Sequence, residues 1–163
     1  MELGGGGHDK PRVFLLSTTN GGETHALAAA KTTLNLLKDG SISQHLWSIG
    51  QRLMDGFNDL AKEFGIADYV QMRGMPCSPF HLFLGTDGRV DLSLRTLYLQ
   101  ETIRHGVLIP YIAPSSAHGD REIEETLEAS RKAMPLLRHA LEAENYEGLL
   151  VGPAVKPVFR KYN

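Results

Sequence analysis

One periodic feature limits what this chain can fold into. Ile42, Leu46, Ile49, Leu53, Phe57, Leu60 and Phe64 recur at intervals of three and four residues. That spacing places all seven on one side of an α-helix, and such a stripe must be buried. Ser41-Ile42-Ser43-Gln44 has the form of a capping box, so the helix begins at Ser41. Gly65 closes it.

Short apolar runs follow. Tyr69 to Arg73 and Phe80 to Leu84 read as strands, joined by the Gly/Pro-rich connection Gly74-Met75-Pro76-Cys77-Ser78-Pro79. Thr86-Asp87-Gly88 is a turn, and Asp91 caps a helix running to about His105, ended by Gly106. Val107 to Ile112 reads as a third, buried strand. Gly119-Asp120 opens a last helix with Glu122, Glu124 and Glu125 near its positive end. Its inner face is Ile123, Leu127, Ser130, Met134, Leu137 and Leu141. Pro135 is expected to kink or split it, because proline removes a donor and clashes with the preceding turn. Val151 to Asn163, with prolines and glycine among basic residues, reads as an extended arm laid over a surface. The order from Ser41 onward is helix, strand, strand, helix, strand, helix. It predicts an α/β fold of α+β type: a small, mostly antiparallel sheet covered by helices.

The chain before Ser41 does not fit that unit. Val13 to Leu16 is a buried-strand run after the turn His8-Asp9-Lys10-Pro11. A helix over about Glu23 to Lys38 has Leu27, Ala30, Leu34 and Leu37 on one side and stops at Asp39-Gly40. One strand and one helix are the end of a larger α/β sheet. The expected division is therefore 1–40, the end of a large domain, and 41–163, a C-terminal small domain with an extended tail.

Bulk properties exclude several classes. A net charge of −2 over 163 residues gives no field for nucleic acid or an anionic membrane. The first residues lack the basic start and apolar core of a signal peptide, and no apolar run is long enough to span a bilayer. Cys77, the single cysteine, cannot form an internal disulfide, which points to a reducing, cytoplasmic setting; its turn-like surroundings predict an inert thiol. The seven histidines form no HExxH pair, so no metal site is expected.

The chemistry-bearing stretch is Ser17-Thr18-Thr19-Asn20-Gly21-Gly22-Glu23-Thr24-His25, running into an alanine-rich helix. A helix N-terminus has unpaired N–H groups and partial positive charge, glycines allow close approach, and hydroxyls add donors. A phosphate cradle is one reading. The other is N-capping by Thr18, Thr19 or Asn20 with Gly21-Gly22 as a turn; the lack of a P-loop lysine and the carboxylate of Glu23 favour it.

VFLLSTTNGGETHALAAA resembles the segment after the Schiff-base lysine in class III pyridoxal-phosphate aminotransferases, nearest the glutamate-1-semialdehyde aminomutase-like branch. Leu99 to Pro110 resembles a late helix and strand of that family, and Ser115 to Ala129 its loop into the last helix. The resemblance runs in family order along nearly the whole chain. It implies the C-terminal part of a fold-type I transferase with pyridoxal 5′-phosphate as cofactor. Thr19, with Thr18 beside it, would hold the cofactor phosphate in a neighbouring subunit's active site. Gly22-Glu23-Thr24 stands where many relatives have Gly-Asn-Pro. The implied reaction moves an amino group between small-molecule donors and acceptors, by transamination or by the isomerase chemistry of an aminomutase. The implied partner is a second copy in a homodimer, or a full-length subunit. Lys10, Lys31, Lys38, Lys62, Lys132, Lys156 and Lys161 do not fall in the family's lysine motif, so the chain alone is expected to be inactive, with no catalytic residue of its own. The alternative is a non-catalytic interaction module.

Other residues have plainer expected roles. His118 ties down its loop through a backbone hydrogen bond, a substrate contact being the alternative. Arg73 and Arg95 are candidates to fork onto a substrate carboxylate, with surface ion pairing the expected role for both. His25 is read as a packing or interface residue, and Trp47 and the methionines as core.

Overall fold

A computed structural model describes residues 22–156. The chain divides between Gly40 and Ser41 into two units, each described by itself. The first contributes helix α1, Thr24–Leu37, close to the expected bounds. Gly40 N–H donates to Leu37 O at 3.1 Å. The φ of Gly40 is +79°, a left-handed stop that glycine takes without strain. The expected strand Val13–Leu16 lies outside the described residues.

The second unit is built on the amphipathic helix predicted from the stripe, α2 at Ser41–Glu63. Ile49, Leu53, Phe57 and Leu60 are buried; Leu46 and Phe64 pack at the margin. Strands β1, Val70–Met75, and β2, Ser78–Phe83, pair antiparallel, with Val70 opposite Phe83 and Met75 opposite Ser78. Helices α3, Leu92–Arg104, and α4, Asp120–Ala143, complete it. Helix α4 packs on α3 and α2, and α2 also covers the hairpin. The core joins Phe57, Leu94, Leu97, Tyr98, Met134 and Leu137, all fully buried. Four helices and a two-stranded antiparallel sheet are the regular elements among the described residues, an α/β arrangement compatible with a small domain. No described helix is long and apolar enough to cross a membrane.

The strands run further than expected. The Gly/Pro-rich connection shrinks to the two residues Pro76-Cys77, because Gly74 and Pro79 join the ladder as an opposed pair. Leu84 N–H donates to Tyr69 O at 2.8 Å. In an antiparallel ladder this means that β2 directs its even-numbered peptide groups at β1 and its odd-numbered ones away. Pro79 is therefore at an outward position, where a missing N–H costs the ladder nothing.

That geometry also overturns the third strand: Val107–Ile112 has no sheet partner and is irregular. The outer edge of β1 is taken by α2, where Asn58 Oδ1 accepts from Met72 N–H at 2.8 Å and Asn58 Nδ2 donates to Met72 O at 3.0 Å. On the outer edge of β2, Pro79 has no donor. There Phe83 O accepts from Asp91 N–H at 2.9 Å. Pro110 removes a further donor from the segment that would pair at this edge. Too few complementary groups remain for a ladder.

Pro135 does not split α4, which runs unbroken past it. The ring is exposed, so the carbonyl that loses its intrahelical partner faces solvent, and Met134 and Leu137 on either side stay buried. Trp47 and Met75 are also corrected: they are 49% and 65% exposed, whereas Met72 and Met134 are core. The described part of the tail lies along α3. Val151 N–H donates to Gln100 Oε1 at 2.8 Å and Val155 N–H to Thr96 Oγ1 at 2.9 Å.

Candidate functional site

Thr18 and Thr19, with Asn20, lie outside the described residues; what can be seen of their loop is the N-terminus of α1. Glu23 is the N-cap, in extended conformation, and its carboxylate makes no capping bond. Instead Glu23 Oε2 lies 3.2 Å from His25 Nε2, on the surface. His25 is thus not packed among the described residues; its side chain is 83% exposed. The first-turn amides are not taken by the side chain of their own N-cap, a condition an anion would need.

The loop before α4 is organised as the sequence suggested. Ser115 N–H donates to His118 Nδ1 at 3.2 Å, and His118 O lies 2.8 Å from His45 Nε2 on α2. The acceptor role of Nδ1 requires the proton on Nε2 in the neutral ring. Gly119 N–H donates to Glu122 Oε2 at 2.8 Å, one half of a capping box. This bond and Arg121 hold the Glu122 carboxyl down at about 2. His118 is therefore a loop tie.

Neither arginine forms the expected surface pair. Arg73 is exposed with no ion pair among the described residues. Arg95 is half-buried and donates from Nη2 to Pro110 O at 2.9 Å, a carbonyl rather than a carboxylate. Cys77, at the hairpin turn, is a free, half-buried thiol. No group of histidine, cysteine or carboxylate side chains among the described residues could hold a metal.

The residue that sequence reasoning missed is His81. On β2 it occupies the inward register shared with Pro79 and Phe83, and that alternation was the signal that could have found it. Its ring centroid lies 5.0 Å from Phe57, 4.8 Å from Tyr98 and 5.7 Å from Phe83. Its Nε2 is buried without a hydrogen-bond partner. Burial, with the Arg95 charge adding to it, pushes the imidazole down to about 3, so it is neutral at physiological pH. Tyr98 shares this cage. Ser130 Oγ donates its one proton to Thr126 O at 2.7 Å. The Tyr98 hydroxyl, 2.9 Å from that oxygen, must then be the donor to Ser130. Burial pushes the phenol well above its usual value.

Beside His81, along the outer edge of β2, lies a cavity of about 520 Å³. It separates β2 from residues 110–112, and Arg95 and Asp91 also line it. Asp91 is fully engaged. Its Oδ1 accepts from Ser93 N–H at 2.8 Å and Leu94 N–H at 2.9 Å, capping α3, and its Oδ2 accepts from the Tyr146 hydroxyl.

The described fold is thus a small α/β unit with no complete catalytic constellation of its own among the described residues. Residues of this chain are 33% identical over 126 positions to a protein of Brevibacillus brevis named glutamate-1-semialdehyde 2,1-aminomutase 2. The match covers 71% of this chain but 29% of that relative, so the chain spans under a third of the protein it resembles. No protein-family model matches the chain, and no solved structure matches it.

Proposed function

We propose that this chain is the C-terminal portion of a pyridoxal-phosphate-dependent aminotransferase or aminomutase, acting with polypeptide that carries the rest of the active site. The likeness to the aminomutase over most of this chain carries the reading. In it, residues 1–40 are the end of the cofactor-binding large domain and 41–163 the small domain that covers the site. When bound, the cofactor supplies an electron sink for charge developing at the substrate α-carbon. The part of this chain is to hold the phosphate: Thr19, with Thr18 beside it, donates its hydroxyl, and the N–H groups opening α1 add the positive end of the helix. The small domain excludes water, and the assembly is a homodimer or a complement with a longer subunit. The chain alone is inactive.

The test uses the full chain. Incubation with pyridoxal phosphate and borohydride, followed by peptide mass spectrometry, is expected to leave all seven lysines unlabelled; stoichiometric labelling of one would overturn the assignment. Pyridoxal phosphate followed by ³¹P NMR is expected to bind weakly, with Thr19→Ala weakening it about tenfold. Equal binding by the two proteins removes Thr19 from the phosphate. The second reading is a non-catalytic interaction module. It is favoured by Leu27 and Leu34, seven residues apart on one side of α1, which are 60% and 67% exposed. Apolar side chains grouped on a surface in this way mark a place where another protein can pack.

A further inference from the structure

The cavity along the outer edge of β2 has the make-up of a binding site. Its volume is about 520 Å³. Small-molecule pockets usually hold roughly 300–1,000 Å³, so it is large enough for a ligand. Its walls are largely apolar, with Phe80, Phe83, Val90, Tyr111 and Ile112 among them. Two polar side chains meet there, both under-used. An arginine has five N–H donors. Arg95 uses one, on Pro110 O, and forms no ion pair among the described residues. His81 makes no hydrogen bond, and its buried Nε2 is one of two such side-chain atoms among the described residues. Nε2 is itself closed off among the aromatic rings, so His81 borders the cavity as an aromatic wall and Arg95 is the group with donors to offer. The one carboxylate in the lining, Asp91, has both oxygens occupied, which leaves the guanidinium as the free charge. The β2 edge also contributes the His81 peptide N–H and C=O, which its odd position turns away from β1.

We propose that this cavity binds a small organic carboxylate with an apolar body, its carboxylate on Arg95 and its body against Phe80 and Tyr111 alongside His81. Guanidinium and carboxylate match in a two-bond fork, and the apolar walls favour an aryl or branched-alkyl body over a bare anion. The occupant enters where a third strand would otherwise close the sheet, so the two prolines that prevent the ladder also create the site. The inference does not depend on the amino-transfer reading, because it uses neither Thr18 and Thr19 nor a bound cofactor.

The test titrates 3-phenylpropionate into the full chain and follows the His81 ring and Arg95 guanidinium signals by NMR. Saturable shifts of both in the millimolar range are expected, with 3-phenylpropanol and inorganic phosphate each about tenfold weaker. Arg95→Gln is expected to weaken binding about tenfold, with Arg95→Lys intermediate. Arg138→Gln, at the surface pair with Glu142, is expected to leave it unchanged. If Arg95→Gln fails to fold by circular dichroism, Arg95→Lys carries the comparison. Absence of saturation, equal binding of the alcohol or of phosphate, or indifference to Arg95 substitution overturns the site.

Discussion

Mild acid should destabilise this protein through one histidine. His81 titrates at about 3 in the fold against 6.5 when solvated, because its ring is packed among Phe57, Phe83 and Tyr98 and faces the Arg95 charge. The native ring stays neutral between those values while the unfolded chain binds a proton, so stability rises with pH across the window. Above 6.5 the effect is absent; as pH falls below it, stability is lost until the native ring also protonates. Linkage gives a loss of about 2 kcal/mol at pH 5 and about 3 kcal/mol at pH 4, a large share of the roughly 5–15 kcal/mol by which a domain is stable. The assay is urea unfolding followed by circular dichroism at pH 5 and pH 7.5, for the natural chain and for His81→Phe. Phenylalanine fits an aromatic cage and cannot titrate, so the difference between the proteins removes the contribution of the other histidines. The natural chain should lose about 2 kcal/mol more than the variant between the two pH values. Parallel loss in both would refute the argument, because it would mean that His81 takes up its proton equally in the folded and unfolded chains.

Three other outcomes follow from contacts in the fold. A Cβ added at Gly50 would stand 1.7 Å from the Pro76 carbonyl oxygen, a backbone atom. Gly50→Ala should therefore force the hairpin tip off α2 and cost at least about 2 kcal/mol in urea unfolding. The buried Tyr98 hydroxyl depends on Ser130. Ser130→Ala should cost about 1–3 kcal/mol by leaving that hydroxyl unpaired, and Tyr98→Phe should recover part of the loss in a double-mutant cycle. Asp91 caps two α3 amides. Asp91→Ala should cost about 1–2 kcal/mol through the lost cap, and Asp91→Asn, which keeps a capping oxygen, should cost less by thermal unfolding.

Much of this fold was legible because it is local. The stripe from Ile42 to Phe64 specified α2, since a helix face is fixed by spacing alone. Asp91, Gly106 and the inner face of α4 were readable for the same reason: caps, stops and periodic faces depend on residues within a few turns. The His118 tie is local too, linking Ser115 to a side chain in the same loop. Nearby residues were therefore enough to place the helices and two strands, but not the length of the hairpin ladder or the N-cap of α1. Whether Val107–Ile112 joined the sheet was settled only in three dimensions, since that depended on Asn58 taking one edge and on Pro79, Phe83 and Asp91 using up the other. Folding likewise brought His81 against Phe57 and Tyr98, and set Arg95 beside a carbonyl instead of a carboxylate. These outcomes turn on which long-range partners compete for the same few donors and acceptors, and spacing along a chain carries no record of that competition.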